Sequence, residues 1–166
     1  MDFVPRTKIN RNALILTIIT STVIIDQITK VIARNNLPGR SPIRFLDDLF
    51  ILQYSENTGA FLSLGANLPE WLRVLIFSIL VGLILGWVAW SLFKDKDLHH
   101  YKTVYLSLIV GGGTGNLIDR ITRGSVTDFM NMGFGNLRTG IFNVADIAVT
   151  AAAVIMLIEL IHKKKV

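Results

Sequence analysis

Apolar residues in this chain gather into four long runs, at 13–33, 71–93, 103–122 and 141–161, separated by more polar stretches. Each run has about 20 residues, the length a helix needs to cross ~30 Å of hydrocarbon. The pattern predicts an all-α membrane protein with four transmembrane helices in one polytopic domain, 1–166. The longer connections are 34–70 and 123–140. In the first, Phe45–Tyr54 mixes apolar and acidic residues and reads as strand. It runs into Ser55-Glu56-Asn57-Thr58-Gly59, where Asn57 and Gly59 are turn formers. This stretch predicts a small β-rich segment outside the membrane. The second connection carries glycines and a few apolar residues and predicts a short interfacial helix.

The polar positions within the runs are few and unevenly placed. Asp26 and Lys30 lie late in the first run, Asp119 and Arg120 late in the third, and Asp146 early in the fourth. A chain that weaves up and down brings those ends to one membrane face. Ionisable side chains at membrane depth are costly, so such a group marks function.

Charge sets the orientation. Segments 1–12, 94–102 and 163–166 hold nine Lys or Arg in 25 residues, against five in the 55 residues of 34–70 and 123–140. The positive-inside rule makes the first set cytoplasmic, both termini included, and the second extracytoplasmic. Trp71 then starts the second span at the outer surface, while Trp87, Trp90, Tyr101 and Tyr105 mark the inner one. Arg6, Lys8 and Arg11 before an apolar stretch resemble a signal peptide, but no small-residue cleavage site precedes Asn35. An uncleaved first span is expected. The net charge of +5 forms no patch, so no nucleic acid partner is expected.

The absence of cysteine removes thiol nucleophiles, thiolate metal sites and disulfides. His99, His100 and His162 all fall on the predicted cytoplasmic side, and no His-Glu-x-x-His set exists. Neither a metal nor another cofactor is expected. Asp26 and Lys30 are spaced i,i+4 and can pair, with partial solvation at the interface. Gly111-Gly112-Gly113-Thr114-Gly115 allows close helix packing. Asn116, Asp119 and Arg120 follow within about a turn, and Arg120 beside Asp119 favours an ionised, structural carboxylate. Asp128, in the second outer loop, and Asp146, near the start of the fourth run, have no cation within four residues. Two converging carboxylates split their pKa values, as acid/base chemistry needs. A Ser–Lys dyad of Lys30 with Ser55, Ser63 or Ser125 stays open, although none of these serines has a distinctive context.

Five blocks in order carry a resemblance: Asp26-Gln27-Ile28-Thr29-Lys30, Asn57-Thr58-Gly59-Ala60-Phe61, Gly112 to Arg120, Val126-Thr127-Asp128-Phe129, and Phe142-Asn143-Val144-Ala145-Asp146. Over nearly its whole length the chain resembles the lipoprotein signal peptidase, or signal peptidase II, family. The resemblance implies an aspartic endopeptidase of the bacterial inner membrane. Such an enzyme removes signal peptides from diacylglyceryl-modified prolipoproteins, cutting before the lipidated cysteine. It implies Asp128 and Asp146 as the catalytic pair. The supporting set would be Asp26, Lys30, Asn57, Gly59, Asn116, Asp119, Arg120, Asn143 and Ala145. The implied partners are diacylated prolipoproteins and membrane lipid, and the chain is expected to act as a monomer. One departure touches the second of the five blocks: Phe61 stands where the family has a second alanine, and Leu62 where it has an aromatic. This bears on substrate contacts of the loop and leaves the aspartates untouched.

Two other classes compete. An ion or proton transporter would use intramembrane Asp and Lys as a relay, but a relay should cross the midplane, and the second run has no charge beyond Arg73. A structural membrane protein would use the charges only to pack helices. Orientation is tested with single cysteines at Asn67, Asn136 and Asp97 and an impermeant thiol reagent on intact cells. The first two should label and the third should not; the reverse pattern inverts the topology.

Overall fold

In the computed structural model, which describes residues 10–58 and 69–163, four helices form an antiparallel bundle with a small sheet at one end. The helices are α1 (Arg11–Asn36), α2 (Glu70–Lys94), α3 (His100–Arg123) and α4 (Val144–Lys163). The strands are β1 (Ile43–Phe45), β2 (Phe50–Asn57), β3 (Val126–Phe134) and β4 (Leu137–Arg138), in the antiparallel order β1-β2-β3-β4. The chain is thus mostly helical with a small antiparallel sheet. Among the described residues, α1 and α4 are long and apolar enough to cross a membrane, and α2 has a shorter apolar stretch at Ser78–Lys94.

Local chemistry sets the helix ends. Asn10 caps α1, its side chain accepting from Asn12 N at 3.1 Å. α3 stops at Gly124, whose φ of 77° is the left-handed cap that glycine adopts without strain. At the end far from the sheet, the Arg11 guanidinium donates to the carbonyls of Leu92 and Asp95, tying the start of α1 to the end of α2.

The bundle is inverted relative to a soluble one. The buried stripe of α1 is Ile15, Thr22, Asp26, Lys30 and Ala33, spaced as one helix face. Its opposite side exposes Leu16, Ile24, Ile25, Ile28, Val31 and Ile32. Polar groups face inward and large apolar ones outward, the distribution that hydrocarbon solvent favours.

α3 packs against the other three helices, and its glycines make this possible. Successive residues turn by about 100°. Gly111 therefore meets Thr22 and Ile19 of α1, Gly112 meets Ala145 and Val149 of α4, and Gly113 meets Leu85 of α2. Gly115 faces Asp26 and Ala145 together. Close packing, the bland reading of this glycine run, is what it does.

Two expectations are corrected at the sheet. Phe45–Tyr54 is not one strand. Leu46, Asp47 and Asp48 all have positive φ and turn β1 back onto β2, with Phe45 paired to Phe50. The second connection does not form a short interfacial helix either. It forms β3 and β4, because β2 offers an open edge along which β3 pairs from Phe50↔Met132 to Asn57↔Val126. That pairing joins segments some 70 residues apart and leaves no local signal. Phe129 of β3 then packs on Ala33 and Leu37 at the end of α1, seating the sheet on the bundle.

The glycine packing predicts a contrast. A Cβ at Gly112 would lie 2.6 Å from the Ala145 carbonyl oxygen, whereas one at Gly86 meets nothing within 4 Å. Gly112→Ala should lower stability by about 1–3 kcal/mol, and Gly86→Ala should leave it unchanged or slightly raised. Thermal unfolding in detergent measures both.

Candidate active site

At the sheet end, polar side chains of α1, α3, α4, β2 and β3 form one continuous network. Its base is ionic. Lys30 Nζ lies 2.8 Å from Asp26 Oδ2 and 3.2 Å from Asp119 Oδ2, and donates to Asn116 Oδ1 at 2.9 Å. An ammonium has three donors, and all three are taken. Asp26 and Lys30 have no exposed surface and Asp119 only 1%. The expected pairing is present, but the partial solvation expected with it is not: α3 and α4 close over the pair. Asp26 Oδ1 accepts from Ala145 N at 2.9 Å, holding the start of α4 to α1. Asp119 Oδ2 accepts from Thr127 N at 3.1 Å, holding β3 to α3.

Arg120 and Asp119 interact through charge, without an ion pair between them. Adjacent helical residues point about 100° apart. The cations at Asp119 are Lys30 and Arg34, the latter 3.7 Å away. Arg120 instead lines a cavity on the α2 side, and Asp146 and Asp128 are the carboxylates that act on it most strongly.

Above the ionic base sit two oriented asparagines. Lys30 donates to Asn116 Oδ1, so the Asn116 amide nitrogen must face away, and it donates to Asp146 Oδ1 at 2.9 Å. Asn143 caps α4 reciprocally with Asp146: Asp146 N donates to Asn143 Oδ1 at 3.0 Å, and Asn143 N to Asp146 Oδ2 at 3.1 Å. That use of its oxygen turns the Asn143 amide nitrogen toward Asp128 Oδ1, 2.7 Å away. Asn57 donates to Asp128 Oδ2 at 3.0 Å from β2. Asp128 and Asp146 thus converge on the two sides of Asn143. A cavity of 330 Å³ opens beside Asp128, lined also by Ser55, Glu56, Asn57, Thr58 and Ile141.

Burial is the largest influence on the Asp128 carboxyl and pushes it above its ordinary 3.8. The Asp146 charge acts in the same direction; the Asn57 and Asn143 hydrogen bonds and the Lys30 charge oppose it without prevailing. One buried carboxyl raised above its ordinary value, beside a second carboxyl at a helix N-terminus, is an arrangement suited to acid/base catalysis on an uncharged bond.

Comparison with known proteins decides the family. The family model described as Signal peptidase (SPase) II matches residues 18–162. The chain belongs to the signal peptidase II family. A lipoprotein signal peptidase of Geobacter sulfurreducens is 32% identical, covering 89% of this chain and 91% of its own length. One of Pseudomonas putida is 35% identical, over 86% and 83%. Two solved structures, each of a bacterial membrane enzyme, are similar in fold. One has a TM-score of 0.78 at 25% identity, covering 91% of this chain and 89% of its own. The other has 0.73 at 27%, over 89% and 92%. The chain is accordingly an aspartic endopeptidase of the signal peptidase II type, a bacterial membrane enzyme with apolar helices.

Of the residues singled out from sequence, Asp26, Lys30, Asn57, Asn116, Asp119, Asp128, Asn143, Ala145 and Asp146 meet in this one network. Asp128 lies in strand β3 rather than in a loop. Gly59, Phe61 and Leu62 lie outside the described residues. Among the described residues Lys30 contacts neither Ser55 nor Ser125, and Ser125 donates to Glu56; Ser63 lies outside the described residues. Sequence reasoning missed three members. Gln27 donates to both Asp26 and Asp119, at 3.2 and 3.3 Å. Arg34, at i+4 from Lys30, was legible as the next position on the same helix face. Thr127, whose hydroxyl accepts from Arg34 at 3.1 Å, stood inside a recognised block, but nothing local to it pointed to that contact. Glu56 adds a separate tie: it accepts from Ser125 and Tyr54 and lies 3.7 Å from Arg123, joining β2 to the α3–β3 turn.

The ionic base predicts a large stability effect. Lys30→Ala leaves two buried carboxylates with only Arg34 nearby and should cost about 3–5 kcal/mol. Combining Lys30→Met with Asp26→Asn leaves Asp119 its Arg34 partner and should recover part of the loss. Unfolding in detergent distinguishes the two variants; wild-type stability in Lys30→Ala combined with loss of turnover would make Lys30 a reacting group instead.

Proposed function

We propose that this enzyme removes the signal peptide from diacylglyceryl-modified prolipoproteins, with Asp128 and Asp146 as its catalytic pair. The observation that carries the reading is the convergence of these two acids on Asn143, beside an open cavity, in a chain of this family. In this reading Asp128 is the general acid, because its burial favours the protonated form. Asp146 is the general base, held at the start of α4 by the Asn143 N–H and the Asn116 amide. Asp146 takes a proton from water as the water oxygen attacks the peptide carbonyl carbon, and Asp128 gives its proton to the carbonyl oxygen. Protonated Asp146 then gives that proton to the leaving nitrogen as the C–N bond breaks, and Asp128 takes a proton back from a hydroxyl of the tetrahedral carbon, so both acids return to their starting states. Asp26, Lys30, Asp119, Asn116 and Asn143 position the pair, and Ala145 contributes its backbone N–H to Asp26. Arg120 remains a donor toward substrate.

The same reading gives four spans, with α2 and α3 crossing beside α1 and α4. Both termini are cytoplasmic, and the sheet and the acids lie at the outer face of the inner membrane. Support comes from the charge asymmetry of the connections, the inward polar and outward apolar faces of α1, and the exposed apolar surfaces of α2 and α4. The ionic cluster gathers at one bundle end, an arrangement that favours local chemistry over a relay through the midplane. The enzyme acts as a monomer.

Asp128→Asn and Asp146→Asn should each lower cleavage of a diacylated prolipoprotein by about 10²–10⁴-fold while the protein still accumulates in the membrane. Near-normal cleavage by either variant refutes the assignment. Asp128 carries a further pH signature. Its folded carboxyl titrates above 3.8, so its contribution to stability is full below that value and is lost as pH rises through the folded value. Relative to wild type, Asp128→Asn should therefore gain melting temperature on going from acid to neutral pH.

A further inference from the structure

The sheet end of α2 and α3 encloses a second cavity of 720 Å³. One face of α2 supplies Trp71, Leu75 and Ser78, at i, i+4 and i+7; α3 supplies Arg120, Ile121 and Arg123. Ser78 lies seven residues beyond Trp71, about 10 Å further along the helix. It is 7% exposed, and among the described residues its Oγ has no hydrogen-bond partner. An unsatisfied hydroxyl in such surroundings is costly unless a ligand supplies the acceptor. The cavity thus has a cationic rim, an apolar wall and one free donor at depth.

The depth selects the acceptor. A peptide helix in hydrocarbon already pairs its carbonyls within itself and offers only their second lone pairs there. An acyl ester carbonyl has no partner of its own. We propose that this cavity is the subsite for an acyl ester of the substrate's diacylglyceryl group, with Ser78 Oγ donating to the ester carbonyl and the chain lying against Leu75 and Ile121. The inference rests on the prolipoprotein reading above. Thr58 lines both this cavity and the one beside Asp128. A substrate with its lipid on the residue next to the scissile bond therefore fills both at once.

The test uses the full-length enzyme in detergent and one lipopeptide made in two forms, with ester-linked or ether-linked chains. Ser78→Ala should raise KM for the diester about 3- to 10-fold, change kcat little, and leave the diether unaffected. Wild type should discriminate between the two forms by the same factor, and Ser78→Thr, which keeps the hydroxyl, should restore discrimination. Equal effects on both forms, or none, overturn the proposal. The other source of an acyl ester is membrane phospholipid. Inhibition by added diester phospholipid that Ser78→Ala relieves, without altered substrate discrimination, would assign the cavity to bulk lipid and overturn the substrate subsite. If wild type cleaves neither form, the prolipoprotein reading fails. Equilibrium binding of the two forms to Asp128→Asn, with and without Ser78→Ala, reads the ester contact without turnover.

Discussion

Everything at the sheet end depends on one buried ammonium. Lys30 places its ammonium where it has no exposed surface, and an isolated charge there would be untenable. It is tolerable because Asp26, Asp119 and Asn116 supply three acceptors from two helices. Each carboxylate then uses its other contacts to hold a further element: Asp26 holds the start of α4, and Asp119 holds β3. The ion cluster is therefore a clamp on four parts of the chain. Its contribution to net stability is secondary; what it supplies is a single arrangement of α1, α3, α4 and β3.

That arrangement reaches the two aspartates through amide orientation. An asparagine amide can flip, and its oxygen and nitrogen make opposite demands on neighbours. Lys30 removes the choice at Asn116, because an ammonium donates only. The helix cap removes it at Asn143, because the Asp146 N–H requires an acceptor. Both amide nitrogens are thereby aimed at carboxylates, one at Asp146 and one at Asp128. A fixed set of donors with little freedom to reorganise suits electrostatic catalysis. Asp146 combines a cap with a second contact: one of its oxygens completes the cap while the other faces Asn116.

α3 bears the cost of this architecture. It carries Asn116, Asp119 and Arg120 and must also touch three neighbours closely. Glycine at four positions near these residues lets α1, α2 and α4 approach its backbone. The same small and polar residues leave α1 and α4, not α3, long and apolar enough by themselves to cross a membrane, although the run at 103–122 predicts a span and α3 lies at the centre of the bundle. Large apolar side chains on the other helices face outward in its place.

Much of this was legible in the amino-acid order. Apolar run length specified the helices, since a span must satisfy its backbone within itself. The i,i+4 spacing of Asp26 and Lys30 specified their pairing, and the ordered blocks around Asp128 and Asp146 identified the family. These are local features or matches of residue type, and both are written along the chain. The folded chain alone decided the rest. Whether the Asp26–Lys30 pair is wet or dry depends on α3 and α4 closing over it. Asp119 takes Lys30 and Arg34 rather than its neighbour Arg120 because side chain direction, not adjacency, sets contact. The second connection became strand because β2, far away in sequence, presented an edge. Asp128 acquired its burial and its place beside Asp146 through that pairing. Long-range pairing and desolvation are properties of the assembled chain, and no local stretch of sequence carries them.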